Sequence, residues 1–354
     1  MSATDATIVI EAPVLFEVRG HLGHILLNRP RAINALSYEM VTAIAEHLML
    51  WAADGAVQTV AITGSGERGL CAGGDIVSLY HDATTGDGAA SALFWRDEYA
   101  LNSLISNYPK PYVAFMDGVV LGGGIGISAH GSHRIVTERS TLGMPETAIG
   151  FIPDVGGTWL LSRAPGELGT YLGLTAGSIT GADAVALGIA DYFVSSELLP
   201  RLLVALETST ADAAIGSFAS TPPQSELLSA QSWINDAFAG DSVLTIIERL
   251  RASLHPSARA TVEAVASKSP LALAVTLESL RRVKSLPSLE RALEQEFRVS
   301  VHAFAGHDFT EGVRAQVIEK DRTPHWLPAT LDDVSATQVD AYFAPLGEQE
   351  LLLP

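Results

Sequence analysis

The pattern of apolar and polar positions divides the chain into two stretches of different character. Residues 14–19 (VLFEVR) and 23–28 (GHILLN) read as short β-type runs. Gly20-His21-Leu22 between them predicts a hairpin. Ser37 precedes apolar positions Met40, Ile44, Leu48 and Trp51, which predicts a capped helix ended by Asp54-Gly55. Thr59 to Thr63 predicts a buried strand that opens into the loop GSGERGLCAGGD. A second helix is predicted from about Ala90 to Asn107, stopping before Pro109. Residues 112–117 (YVAFMD) and His133 to Thr137 predict two further strands, with the glycine-rich GVVLGGGIGISAHG between them.

Short strands alternating with helices place this part of the chain in the α/β class. From about Ser196 the periodicity is helical, as in Leu273 to Val283 and Leu289 to Phe304, with almost no strand signal. The expectation is an α/β core over residues 12–195 and a helical region over 196–354. No low-complexity linker separates them, so they are expected to pack as one unit, and no internal repeat is evident.

Composition narrows the class. With 47% hydrophobic and 18% charged residues the chain is no disordered segment. Its longest stretch free of Asp, Glu, Lys and Arg, Gly118 to His133, is rich in glycine and shorter than the roughly 20 apolar residues of a membrane span. Against 40 acidic residues stand 22 basic ones, a net charge of −18 that disfavours nucleic acid and anionic membrane as partners. The lone Cys71 excludes an internal disulfide and suits a reducing compartment. Residues 1–18 carry Asp5, Glu11 and Glu17 but no Lys or Arg, the reverse of a leader, so a cytoplasmic protein is expected.

Two glycine clusters carry candidate chemistry: Cys71-Ala72-Gly73-Gly74-Asp75 and Leu121-Gly122-Gly123-Gly124-Ile125-Gly126. Glycine lets backbone approach a ligand and leaves N–H groups free for an anion, although ordinary turn glycines look the same. Gly124, Gly126 and Ala129 fit a dinucleotide fingerprint, yet no second βαβ half follows, so no nicotinamide cofactor is expected. A G-x-S-x-G nucleophile elbow is absent. The pairs His21/His24 and His130/His133 lack a carboxylate at ligand spacing, and no metal is expected. Glu146 in GMPETAIGF and Asp154 in FIPDVGG each follow a proline in an apolar stretch. Such surroundings raise a carboxyl pKa and sharpen its reactivity. A turn or cap role explains Asp154 equally well when it is taken alone. Two carboxylates beside two donor loops point to acyl chemistry at a polarised carbonyl.

LNRPRAINAL (27–36), GLCAGGDI (69–76), GGGIGIS (122–128) and MPETAIGFIPDVGG (144–157) together resemble the crotonase (enoyl-CoA hydratase/isomerase) superfamily. The resemblance implies a spiral of ββα units carrying a helical C-terminal region. It also implies an acyl-CoA substrate whose thioester carbonyl sits in an oxyanion hole of two backbone N–H groups, Ala72 and Gly123 by motif position. Gly73, Gly74 and Asp75 are expected around the substrate. Arg29 or Arg31 is expected at the CoA phosphates, a solvated loop being the other reading of these arginines.

Phe94–Asn102, Asp308–Ala315 and Lys320–Pro328 extend the resemblance to residues 14–345. They point to the branch that hydrolyses 3-hydroxyisobutyryl-CoA in valine degradation, which implies Glu146 and Asp154 as the reacting pair and Glu98 in the substrate pocket. Two departures from the hydratase pattern support that branch. Gly126 stands where hydratases carry a second catalytic glutamate, and Asp154 stands where they have a small residue. Hydration needs two acid/base groups flanking the double bond, and Glu146 alone cannot fill both roles. On this reading Glu146 is nucleophile or general base, Asp154 binds the 3-hydroxyl or assists proton transfer to the thiolate, and Gly126 faces the reacting carbons. No cofactor is expected, since CoA is part of the substrate, and a homo-oligomer would be in keeping with the superfamily. An isomerase-type enzyme on the same fold and a catalytically silent CoA-binding protein are the rival readings.

Overall fold

The computed structural model describes residues 12–354; the acidic positions Asp5 and Glu11 lie outside the described residues. β1 (Val14–Arg19) and β2 (Leu22–Leu27) form the antiparallel hairpin, turning at Gly20-His21. β1 is the sheet edge and buries little beyond Val14, whereas the central strands are buried throughout or nearly so. After α1 (Tyr38–Ala53) come β3 (Thr59–Gly64), α2 (Ile76–Thr85), α3 (Ala89–Ser106) and β4 (Tyr112–Met116). Strands β3 and β4 lie inside a parallel array, which is why TVAIT and YVAFM read as continuous apolar runs. The Ser37 hydroxyl caps α1 by accepting from the Met40 N–H, and Met40, Ile44, Leu48 and Trp51 are its buried stripe.

β5 (Val119–Leu121), the single turn α4 (Gly123–Gly126), β6 (His133–Val136) and β7 (Thr141–Gly143) follow. Then come α5 (Gly157–Arg163), α6 (Leu168–Thr175), β8 (Ser178–Thr180), α7 (Gly181–Ala186) and β9 (Tyr192–Phe193). The large sheet runs β1-β2-β3-β4-β6-β9, parallel from β2 onward, and a small sheet runs β5-β7-β8. Every named strand lies before Val194; beyond it the named elements among the described residues are all helices.

That helical region closes over the core rather than standing apart. Helix Pro270–Val283 packs on α5 and α6, Leu289–Phe304 on α3 and α5, and His307–Val313 on α2 and the turn at Glu146–Ile149. The backbones touch at this last contact: a Cβ on Gly312 would stand 2.4 Å from the Ile149 carbonyl carbon.

Five elements were not legible in the apolar pattern. α2 buries only Leu79, too thin a stripe to register. The glycines of α4 carry no periodicity, and the three-residue strands of the small sheet depend on pairing with distant partners. Among the described residues no helix is long and apolar enough to cross a membrane.

Candidate active site

A cavity of about 570 Å³ gathers Ala72, Gly73, Gly74, Glu98, Gly123, Glu146 and Asp154 in its walls. Phe94, Trp95, Phe151 and Phe309 complete an aromatic side, with Trp95 stacked on Phe151 at 5.4 Å. α3 contributes Glu98 from its buried face, the 3₁₀ turn Glu146–Ile149 presents Glu146, and the loop before α5 presents Asp154. A larger cleft of about 770 Å³ lies between α1 and α3, but its Asp97 and Glu290 are already bound by Tyr38 and Asn107.

Two backbone donors face this cavity without a partner among the described residues, the N–H groups of Gly74 and Gly123. They are neighbours: a Cβ on Gly123 would stand 3.2 Å from the Gly74 nitrogen. The position expected from the motif differs, because the Ala72 N–H donates to the Ile33 carbonyl at 2.9 Å. Gly73, with φ of 111°, turns the chain between the two, so Ala72 faces the 33–36 loop and Gly74 faces Gly123.

Three carboxyls share this cavity, and two of them lie beside these donors. A Cβ on Gly122 would lie 2.8 Å from Glu146 Oε1, and one on Gly123 would lie 2.7 Å from Glu98 Oε1. Glu98 Oε1 and Glu146 Oε2 are buried without a hydrogen-bond partner among the described residues. Burial first, and the nearby Asp154 charge second, hold both glutamates well above the ordinary carboxyl range. Asp154 is pushed up to about 7 by burial, against the pull of a 2.7 Å hydrogen bond that the Tyr99 hydroxyl donates to its Oδ2. The Tyr99 oxygen also meets Ser300 Oγ at 2.8 Å. Asp154 is therefore the member of the trio whose charged form has a dedicated donor.

The remaining expected residues sit elsewhere. Arg29 pairs with Asp75 at 2.9 Å and donates to the Ala35 carbonyl at 2.6 Å, while the Asp75 carboxylate also caps α2 at Ser78. Neither lines the cavity, and Arg31 is exposed outside it. Arg322 is the basic residue in the cavity wall. His24 is buried and His130 partly buried, and desolvation pushes each down to about 4; they bind Thr63 and the Val155 carbonyl. Burial likewise pushes the Cys71 thiol up to about 12.

This constellation matches known proteins over nearly its whole length. The enoyl-CoA hydratase/isomerase profile covers residues 22–343. The chain belongs to the enoyl-CoA hydratase/isomerase family. Among curated members, the mitochondrial 3-hydroxyisobutyryl-CoA hydrolase of Rattus norvegicus is 41% identical over 96% of this chain and 91% of that protein. Its Homo sapiens counterpart is 37% identical over 96% and 90%. Among solved structures, a carnitinyl-CoA dehydratase from Mycobacterium thermoresistibile superposes with a TM-score of 0.94 at 49% identity, covering 97% of this chain and 99% of that one. An enoyl-CoA hydratase from Rhodobacter sphaeroides 2.4.1 gives 0.92 at 41% identity, covering 97% and 100%.

These family names divide between hydrolysis and hydration, so the acids of this chain carry the distinction. Residue 126 has no side chain, but neither does it face the cavity as expected. A Cβ there would stand 2.7 Å from Val155 Cβ and 2.8 Å from Asn102 Nδ2. The space behind Gly126 is filled by the loop that carries Asp154, and a carboxyl at 126 would have to displace it.

Nothing in the sequence singles out Tyr99 or Arg322, although both lie inside segments that carry the family resemblance, Phe94–Asn102 and Lys320–Pro328. A third, Glu296, was marked by a visible signal: it is a glutamate on the apolar stripe of Leu289, Leu293, Phe297 and Ser300.

Proposed function

We propose that this protein is a thioester hydrolase that converts 3-hydroxyisobutyryl-CoA and water to 3-hydroxyisobutyrate and CoA, a step of valine degradation. One observation carries the reading. Asp154, held by Tyr99, shares a desolvated cavity with Glu146 and two free N–H groups. The names of the curated relatives support the same choice.

The thioester oxygen docks between the Gly74 and Gly123 N–H groups, which take up the charge of the tetrahedral intermediate. Losing one such donor typically costs about 100- to 1000-fold in rate. Glu146 either attacks the carbonyl carbon, breaking the C–S bond, releasing CoA as its thiolate and leaving a mixed anhydride that water opens, or removes the proton of the water whose attack expels the same thiolate. Both routes use its deprotonated form. Asp154, as carboxylate, accepts a hydrogen bond from the 3-hydroxyl and so orients the acyl chain. Glu98, whose charged form burial disfavours, lines the acyl pocket. Arg322, rather than Arg29 or Arg31, meets the phosphates of CoA at the cavity wall. No cofactor enters, because CoA arrives as part of the substrate. A cytoplasmic location remains part of this proposal, the vertebrate relatives being named as mitochondrial.

The test is a panel of CoA esters. Thiol release should be fastest with 3-hydroxyisobutyryl-CoA and 3-hydroxypropionyl-CoA and slower with isobutyryl-CoA. The two hydroxyacyl groups differ by a methyl, worth about 1–3 kcal/mol in an apolar pocket, whereas loss of the 3-hydroxyl leaves Asp154 without its partner and costs more. Hydration of crotonyl-CoA without thiol release would establish the hydratase reading instead, and binding without turnover the silent one.

A further inference from the structure

The loop that presents Asp154 does not hold itself in place. Val155 has φ of 51° and Gly156 φ of 79°, two successive left-handed residues, the first of them β-branched. A β-branched residue rarely adopts that region and stays there only when its surroundings impose it. The surroundings are specific. His130 Nε2 donates to the Val155 carbonyl at 2.8 Å, and the bare Cα of Gly126 makes room for the Val155 side chain. Directly after the left-handed pair, the first N–H groups of α5 find no cap of their own. They are captured by Glu296, whose Oε2 accepts from Gly156 N–H at 2.6 Å and whose Oε1 accepts from Thr158 N–H at 2.9 Å and from the Thr158 hydroxyl.

Glu296 lies on helix Leu289–Phe304, in the C-terminal region, 140 residues away in sequence from Gly156. One turn later the same helix carries Ser300, which meets Tyr99 at 2.8 Å. Phe297, between them, packs edge-on against the Tyr99 ring at 6.3 Å. One helical face therefore grips the Asp154 loop twice: the Asp154 carboxylate through Ser300 and Tyr99, and the backbone at Gly156 and Thr158 through Glu296. Burial pushes the Glu296 carboxyl up to about 8 against the pull of these donors, and a group that only filled space would be a poor choice, because removing it from water is costly and a methionine or leucine would serve better.

We infer that Glu296 is a positioning residue for the thioesterase reaction, clamping the Asp154 loop onto the C-terminal helix. The inference rests on the hydrolase reading above and extends it. A glutamine at 296 can still accept from Thr158, but its NH₂ opposes the Gly156 N–H, so the loop loses one anchor while the shape of the core is kept. Catalytic geometry must hold within about half an ångström, and misplacement of about 1 Å costs on the order of 100-fold.

The experiment is a double-mutant cycle on the full-length enzyme with Glu296→Gln and Asp154→Asn, reading kcat and KM for 3-hydroxyisobutyryl-CoA. Glu296→Gln should lower kcat about 10- to 100-fold with KM within about threefold of wild type. In the Asp154→Asn background the same change should cost less than about twofold, because the group it positions has already been neutralised. Equal factors in both backgrounds, or an unchanged kcat, would overturn the positioning role. Should Glu296→Gln fail to fold, Thr158→Val removes one of the three donors and should show the same background dependence at smaller amplitude; equal factors there overturn it too. If Asp154→Asn itself keeps wild-type turnover, the hydrolase reading of the trio falls and this inference falls with it. If that variant is impaired and the Glu296 effect is additive, only the clamp is wrong.

Discussion

Tyr99→Phe is the perturbation whose consequence the geometry sets most tightly. It removes one oxygen, the donor of the 2.7 Å bond to Asp154 Oδ2, and leaves the ring packed against Phe297. A hydrogen bond to a charged group is worth about 1.5–3 kcal/mol, and about 1.4 kcal/mol corresponds to one pH unit of a titration midpoint. The bond favours the carboxylate, so its loss raises the Asp154 midpoint, from about 7 to about 8–9. A group with a raised midpoint is protonated below it and charged above it. At pH 7 the charged fraction would fall from about half to about 1–10%, and kcat/KM for 3-hydroxyisobutyryl-CoA by about 5- to 50-fold. Near pH 9.5 the charged form dominates again, and the variant should come within about threefold of wild type. The assay is thiol release from pH 6 to 9.5, with thermal melts to confirm folding. Isobutyryl-CoA, which has no 3-hydroxyl, should show a much smaller change. A pH-independent loss, or an equal loss on both esters, would refute the claim that Tyr99 acts by holding Asp154 as its charged form.

Glu146→Gln should keep the fold and acyl-CoA binding but lower turnover by at least about 100-fold, a single-turnover measurement deciding; turnover within threefold of wild type would remove Glu146 from the chemistry. Gly126→Glu should lower Tm by several degrees and abolish thiol release, because its Cβ meets Val155 and Asn102 and an unpaired carboxylate is buried at a cost of several kcal/mol. A variant with wild-type melting and turnover would show that the 2.7 Å approach relaxes cheaply. Arg322→Ala should raise KM for CoA esters about two- to fivefold, with kcat nearly unchanged and the difference fading at high salt. A rise in KM from Arg29→Ala with none from Arg322→Ala would return the phosphates to the loop after β2.

Much of this protein is determined locally and can be read from the chain. Strands β3 and β4 announce themselves as unbroken apolar runs because both faces are covered, and α1 does so through a Ser cap and a stripe at three- and four-residue spacing. The acids Glu146 and Asp154 stand out because charge is rare in apolar surroundings, and the glycine clusters because only glycine tolerates such close approach. What the chain cannot show is the direction of individual backbone groups. Whether Ala72 or Gly74 turns its N–H to the cavity depends on a single φ at Gly73 and on a carbonyl at Ile33. Whether Arg29 is free depends on an aspartate 46 positions away. Glu296 and Ser300 reach the Asp154 loop only because a C-terminal helix lies across it, a contact that no local pattern encodes. Residue types and periodicity thus determine the class of fold and the candidate chemistry-bearing groups; which of them hydrogen-bond, titrate and face one another is decided by long-range packing, which sets desolvation and donor direction together.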